Sequence, residues 1–213
     1  IPAEEARILE TYRGLGLRGS GSHDVHLSGA ACPLQRSCDL MSTPTVDSPI
    51  GRISPATQAG LVAASVMIGT AAGALDAVLT LAAHKRPAFS SRRLAESPLF
   101  QDAAGEAYTT LAAARWLLQT ELVRADEAAA HIVVGSDEDA RLRAVGAKVA
   151  AFALSVVDTA YSLGGSSSLA EGSPLERRLR DARSLSQHST LARANFSRLG
   201  AVVAGAKIDP SST

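Results

Sequence analysis

Apolar and polar positions follow two different rhythms along this chain. From residue 54 onward the texture is helical, predicting segments at about 55–84, 98–133, 137–163 and 174–190, with a shorter one near 192–205. In the fourth segment Leu175, Leu179, Ala182 and Leu185 fall on one stripe, the face such a helix buries. Entrance signals mark the boundaries. Ser54-Pro55, Ser97-Pro98 and Ser173-Pro174 each place a capping hydroxyl before a proline. Serine accepts an orphan backbone N–H, and proline at the first helical position gives up no needed donor. Glu176 stands three residues after Ser173, the spacing of a capping box. Ser136 leads into Asp137-Glu138-Asp139, acidic groups at the positive end of a helix dipole. Helices of about 30 residues span roughly 45 Å. Long antiparallel helices with short connections make an up-and-down four-helix bundle, and the chain reads as mainly α.

The first 50 residues behave differently. His23-Asp24-Val25-His26-Leu27 alternates polar and apolar, as a strand with one buried face does. Before it runs the glycine-rich stretch Gly14 to Gly21, and after it Ser28 to Pro49 has no periodicity, which predicts a loop or linker. The expected division is therefore 1–50, a short β segment with a linker, and 51–213, a helical bundle.

Composition sharpens this picture. Aromatics are only 4% of the chain, so the core must be packed mainly from Ala, Leu and Val, which suits closely approaching helices. Lys plus Arg equals Asp plus Glu at 21 each, a balance that points to neither nucleic acid nor an anionic membrane. The apolar run Ala59 to Ala83 is long enough to raise the membrane question. Asp76 within it would be costly in lipid, and its Gly and Ala content fits a buried soluble helix better. Two cysteines, Cys32 and Cys38, make no disulfide framework, and a reducing cytoplasm is the expected location. The chain opens at Ile1-Pro2-Ala3, without Met or a signal-like run, and reads as cut into or processed.

Several motifs offer chemistry by letter alone. Gly14-x-Gly16-x-x-Gly19 matches a dinucleotide fingerprint, but a strand-like segment follows where a helix is needed, so turns between strands are the better reading. His23, His26, Cys32 and Cys38 match no paired zinc spacing. Ser22-His23-Asp24 are neighbours on an extended chain and point to opposite faces, which counts against a triad. Gly164-Gly165-Ser166-Ser167-Ser168 fits a helix C-cap with a loop, or a backbone surface for a phosphate. Arg177, Arg178, Arg180 and Arg183 read mostly as a solvated face, and His188 stands at a helix end, where the dipole favours a cation.

Two stretches carry a resemblance. Gly14-Leu15-Gly16-Leu17-Arg18-Gly19-Ser20-Gly21-Ser22-His23-Asp24-Val25 resembles the LG-RG-(S/T)-GSHDV segment in the middle β-domain of the acyl-CoA dehydrogenase superfamily. Leu163-Gly164-Gly165, Gly172-Ser173-Pro174-Leu175-Glu176-Arg177, Arg180-Asp181-Ala182-Arg183 and Gln187-His188 resemble its last helices. The resemblance implies that residues 1–50 are the end of a β-domain and the rest a carboxy-terminal four-helix bundle. It also implies an amino-terminal portion lost, unobserved or supplied by a separate chain. The bundle usually drives tetramer formation, and flavin sites lie where subunits meet. Gly164 and Gly165 would then lie near a flavin phosphate or adenine moiety. Arg86, of the basic pair Lys85-Arg86, falls near the family's flavin-contacting arginine. Phe100-Gln101 falls near a Phe-Gln pair of the family, although the usual Phe-Gly between them is absent.

One departure separates branches of the family. Aligned on Arg180-Asp181-Ala182, Ser189 occupies the position of the dehydrogenases' catalytic glutamate, and serine is no base unaided. His188 instead resembles the Gln-His of two-component flavin monooxygenases, where an imidazole serves as acid or base beside the flavin. The leading expectation is an oxygenase component that takes reduced FMN or FAD from a separate reductase and hydroxylates a small aromatic or heterocyclic substrate with O2. The alternatives are an acyl-CoA dehydrogenase using FAD and a non-catalytic helical assembly module.

Overall fold

Ser54 opens the first long helix as its sequence promised: its Oγ accepts the N–H of Thr57 at 3.2 Å, and Pro55 takes the first helical position. The computed structural model describes residues 1–37 and 48–208. Among them the elements are β1 (Ala6–Leu9), β2 (Asp24–Leu27), α1 (Pro55–His84), α2 (Pro98–Ala129), α3 (Ser136–Gly164), α4 (Pro174–Leu185) and α5 (Ala194–Val203).

Helix α3 is the centre of the bundle, with α1, α2, α4 and α5 all packed against it. α1 and α3 run parallel. At their starts Ser54 Oγ and Thr57 Oγ1 each donate to Asp139 Oδ1 at 2.6 Å. At their ends Lys85 Nζ donates to the Gly164 carbonyl at 2.7 Å. α4 runs back along α1, with the Arg178 side chain over Gly73 and Thr190 beside Gly60. The buried positions are mostly alanine and valine, with Met67, Leu142, Val149 and Val156 among the larger enclosed side chains. Such small residues let helix backbones approach closely: a Cβ on Gly146 of α3 would stand 3.5 Å from the Gly60 carbonyl oxygen of α1. α1 is long and apolar enough by length and composition to cross a membrane, yet here Ala64, Met67, Ala71, Ala74 and Val78 form part of the bundle's core.

Buried between α2 and α3, Glu121 accepts from Arg124 Nη2 at 3.0 Å and from Arg141 Nη2 at 2.5 Å. Burial pushes its carboxyl up, but the Arg141 and Arg124 guanidinium groups outweigh burial and hold it below the usual carboxylate range. Arg124 also pairs with Glu138, so one ionic cluster joins the end of α2 to the start of α3.

Several expectations are corrected. α2 stops at Ala129 rather than near 133, because Arg52 Nη1 caps the carbonyls of Ala129 and Ala130 at 3.0 and 2.9 Å. Val134 then donates its N–H to the Arg52 carbonyl at 2.9 Å, turning the chain toward α3. α4 ends at Leu185 rather than 190, and a separate 3-10 turn covers Ser189–Leu191. Neither Ser97 nor Ser173 makes a side-chain cap. The capping box at Ser173 does not form, because Glu176 pairs with Arg180 one turn on. Glu96 plays the reaching-back role instead, accepting the Arg93 N–H at 2.9 Å.

β1 and β2 pair antiparallel, Ala6 opposite Leu27 and Leu9 opposite Asp24. The glycine-rich stretch connects them, as expected of turns between strands. The buried strand face is not found: all four β2 residues are exposed, because the hairpin touches the bundle through its connection rather than its strands.

Candidate functional site

His188 is held by the turn that follows it. Its Nδ1 lies 2.8 Å from Thr190 Oγ1 and accepts the Thr190 N–H at 3.4 Å. While Nδ1 accepts the Thr190 N–H the neutral imidazole carries its proton on Nε2, and in the other tautomer Nδ1–H donates to Thr190 Oγ1 and Nε2 is an acceptor. The turn itself is anchored. Leu191 is buried in the core, and Asn195 Nδ2, on a buried side chain, donates to the Thr190 carbonyl at 2.9 Å. An exposed imidazole on a fixed backbone can donate from Nε2 when neutral and release a proton when cationic.

The face of α4 leading to this turn carries the glycine-rich segment. Leu17 N–H donates to Asp181 Oδ1 at 2.7 Å, and Gly16 N–H to Ser184 Oγ at 2.9 Å. Arg180 Nη1 donates to the Leu15 carbonyl at 2.9 Å. Gly16 is obligatory in this packing, since a Cβ there would stand 2.2 Å from the Arg180 carbonyl oxygen. Beside this contact a cleft of about 580 Å³ opens between Arg18 and the start of α4, lined by Ser173, Glu176, Arg177 and Arg180.

The other sequence-predicted residues gather at the far end of the bundle. Gly164 is buried, and a Cβ on it would lie 2.1 Å from Ser168 Oγ and 2.7 Å from Leu175 Cδ1, so its smallness serves packing. Gly165 is exposed at φ +57°, a conformation that favours glycine, and its N–H already donates to the Ser162 carbonyl. The helix C-cap reading is present, and what Gly165 leaves to a ligand is bare backbone surface rather than its own N–H. Arg86 is exposed and donates to the Ser91 carbonyl. Gln101 is exposed, with Nε2 on the Ala95 carbonyl at 3.0 Å. Arg86, Gln101, Gly164 and Gly165 are thus brought to one end of the bundle, and His188 is not with them. From Gly60, beside Thr190, to Lys85 the α1 axis rises about 37 Å at about 1.5 Å per residue.

Two features escaped sequence reasoning. Phe89, fully exposed at φ +63°, projects from the loop after Arg86; an aromatic in a polar loop was its only signal. Asp181 and Ser184 hold a segment more than 160 positions away, which no local pattern announces. Among the described residues no three His, Cys, Asp or Glu side chains are grouped to hold a metal ion, and Cys38 lies outside them.

The family profile described as "Acyl-CoA dehydrogenase, C-terminal domain" matches residues 61–193, from within α1 through the His188 turn. The chain belongs to the acyl-CoA dehydrogenase C-terminal domain family. Among the relatives of this acyl-CoA dehydrogenase-type bundle is indole-3-acetate monooxygenase of Pseudomonas putida, 29% identical over 209 residues, 96% of this chain and 53% of that protein. Another is the flavin-dependent monooxygenase, oxygenase subunit HsaA, of Rhodococcus jostii (strain RHA1), 31% identical over 89% of this chain and 52% of that protein. The chain thus spans about half the length of the curated relatives it matches. In fold it is similar to XiaF from Streptomyces sp. in complex with FADH2 and glycerol, with a TM-score of 0.86 and 24% identity over 100% of this chain and 56% of that one.

Proposed function

We propose that this chain is the helical part of the oxygenase component of a two-component flavin monooxygenase. A separate reductase supplies reduced FMN or FAD, and the substrate hydroxylated with O2 is a small aromatic or heterocycle. The observation that carries this reading is the exposed His188 on its anchored turn, one residue before Ser189, which stands at the position of the dehydrogenases' catalytic glutamate. From Ser184 to Asn195 the chain has no carboxylate that could replace that base. The monooxygenase names of the two relatives support the same branch.

The residues fit a flavin only in part. Arg86 offers an exposed cation, Gly165 a bare backbone and Phe89 an exposed ring, all at the end of the bundle remote from His188. One copy therefore presents two half-sites, which supports a homo-oligomer in which each flavin lies between copies, and the family's usual tetramer is the state proposed. Bound there, the flavin supplies activation of O2. His188 supplies a hydrogen-bond donor at Nε2 while Nδ1 accepts from Thr190, and takes the proton of a phenol-type hydroxyl at Nε2 in the tautomer whose Nδ1–H donates to Thr190 Oγ1. A cytoplasmic location is part of the same proposal.

The test is turnover in air by the full-length protein with reduced FMN or FAD supplied by a flavin reductase. Hydroxylated product should form, and His188→Ala should lower product per O2 by about a hundredfold, with hydrogen peroxide released instead. Acyl-CoA-dependent reduction of a tightly bound FAD without O2 would overturn the reading.

A further inference from the structure

Leu17 sits at φ +54°, ψ +30°, the left-handed region that a leucine rarely enters. Such a conformation persists where its surroundings impose it. Here the imposing group is Asp181, whose Oδ1 accepts the Leu17 N–H at 2.7 Å, a bond strengthened by the carboxylate charge. The neighbouring residues act in the same sense: Gly16 N–H reaches Ser184 Oγ at 2.9 Å, and Arg180 Nη1 reaches the Leu15 carbonyl at 2.9 Å. Residues 180 and 184 are four apart on α4, and His188 follows the helix end at Leu185 by three residues, its N–H on the Leu185 carbonyl at 3.0 Å. At Gly16 the backbones meet with no room for a side chain, so the helix cannot slide past the segment without breaking all three bonds.

We propose that Asp181 is a positioning residue for His188. By holding Leu17 in its left-handed conformation, it fixes α4 against the glycine-rich segment and sets where the imidazole stands. This rests on the role given to His188 above, and the experiment separates the two. Asp181→Ala, Asp181→Asn and the double variant Asp181→Ala/Leu17→Gly are compared in the full-length protein, by amide hydrogen exchange at residues 14–18 and by product formed per O2. Asp181→Ala should lose at least about tenfold of the exchange protection at Leu17 and at least about fivefold of the product-to-O2 ratio, with the exchange of α1 and α3 unchanged. Asn keeps an acceptor oxygen and should retain most of both. Glycine enters the left-handed region freely and should restore part of the Gly16 protection and of the product ratio in the double variant, while the amide of residue 17, left without its acceptor, stays unprotected. If Asp181→Ala does not fold, Ser184→Ala should show the same paired losses at smaller amplitude. Unchanged exchange at Leu17 would overturn the hold, and lost protection with an unchanged product ratio would overturn its bearing on His188. A full-length protein that takes up no reduced flavin would remove the role of His188, and the positioning of it, while leaving the exchange result standing.

Discussion

The Lys85 ammonium donates to the Gly164 carbonyl at 2.7 Å and to Ser167 Oγ at 2.9 Å, closing α1 onto the exit of α3. Gly164 ends α3, so its carbonyl has no partner within the helix and takes one from a neighbour. Lys85→Met keeps most of the side-chain stem and removes the donor. It should cost about 2 kcal/mol of stability, measured as a shift of the urea midpoint at constant slope.

Glycines separate by what surrounds them. Gly164→Ala forces a methyl against Ser168 and Leu175 and should cost about 1–3 kcal/mol by overpacking. Gly105, in the middle of α2, has nothing within 4 Å of an added Cβ, so Gly105→Ala should stabilise by about 0.5–1 kcal/mol. Thermal unfolding of the two variants should move in opposite directions.

Acid should loosen the α2–α3 junction. Glu121 is held below its ordinary value of 4.5 in the folded chain, so it contributes stability fully above that value. The contribution is lost as pH falls through the depressed folded value, when the carboxyl takes up a proton. Glu121→Gln should flatten the acid limb of a stability-against-pH curve taken from about pH 6 to about pH 2. At neutral pH it should cost about 1–3 kcal/mol, since Arg141 loses its charged partner.

Thr190 contributes a hydroxyl and a backbone N–H to the same ring nitrogen of His188. Thr190→Val removes only the hydroxyl, and Thr190→Ser keeps it. Valine should reduce product per O2 by about fivefold, which corresponds to about 1 kcal/mol, and serine should stay near the unsubstituted protein. Equal losses in both would assign the effect to packing of the methyl group.

The helical part of this fold is legible where its causes are local. Ser54-Pro55 starts α1 and the acidic triplet after Ser136 starts α3, because caps and dipoles act within one turn. The misread features come from side chains that compete for the same groups, one of them distant. α2 ends where Arg52, more than 70 positions earlier, reaches its last carbonyls, and Glu176 leaves Ser173 for Arg180 because a guanidinium is the stronger partner. The site is legible as a set of residue types and not as an arrangement. That α4 folds back along α1, parting His188 from Gly164, follows from side-chain notches such as Gly60 and Gly73. No periodicity reveals which helix fills them.

An interior built so largely of alanine is sensitive in one direction. Ala64, Ala71, Ala74, Ala82, Ala114, Ala153 and Ala160 are fully enclosed and have almost nothing to lose by truncation. Each has a methyl group's worth of space and no more, so damage enters through residues that grow. A single Ala→Val at such a position would press on the facing helix and cost about 1–3 kcal/mol by overpacking. Enlargement is therefore the main hazard at the small residues, while truncation remains the hazard at the few large enclosed ones such as Met67 and Leu142.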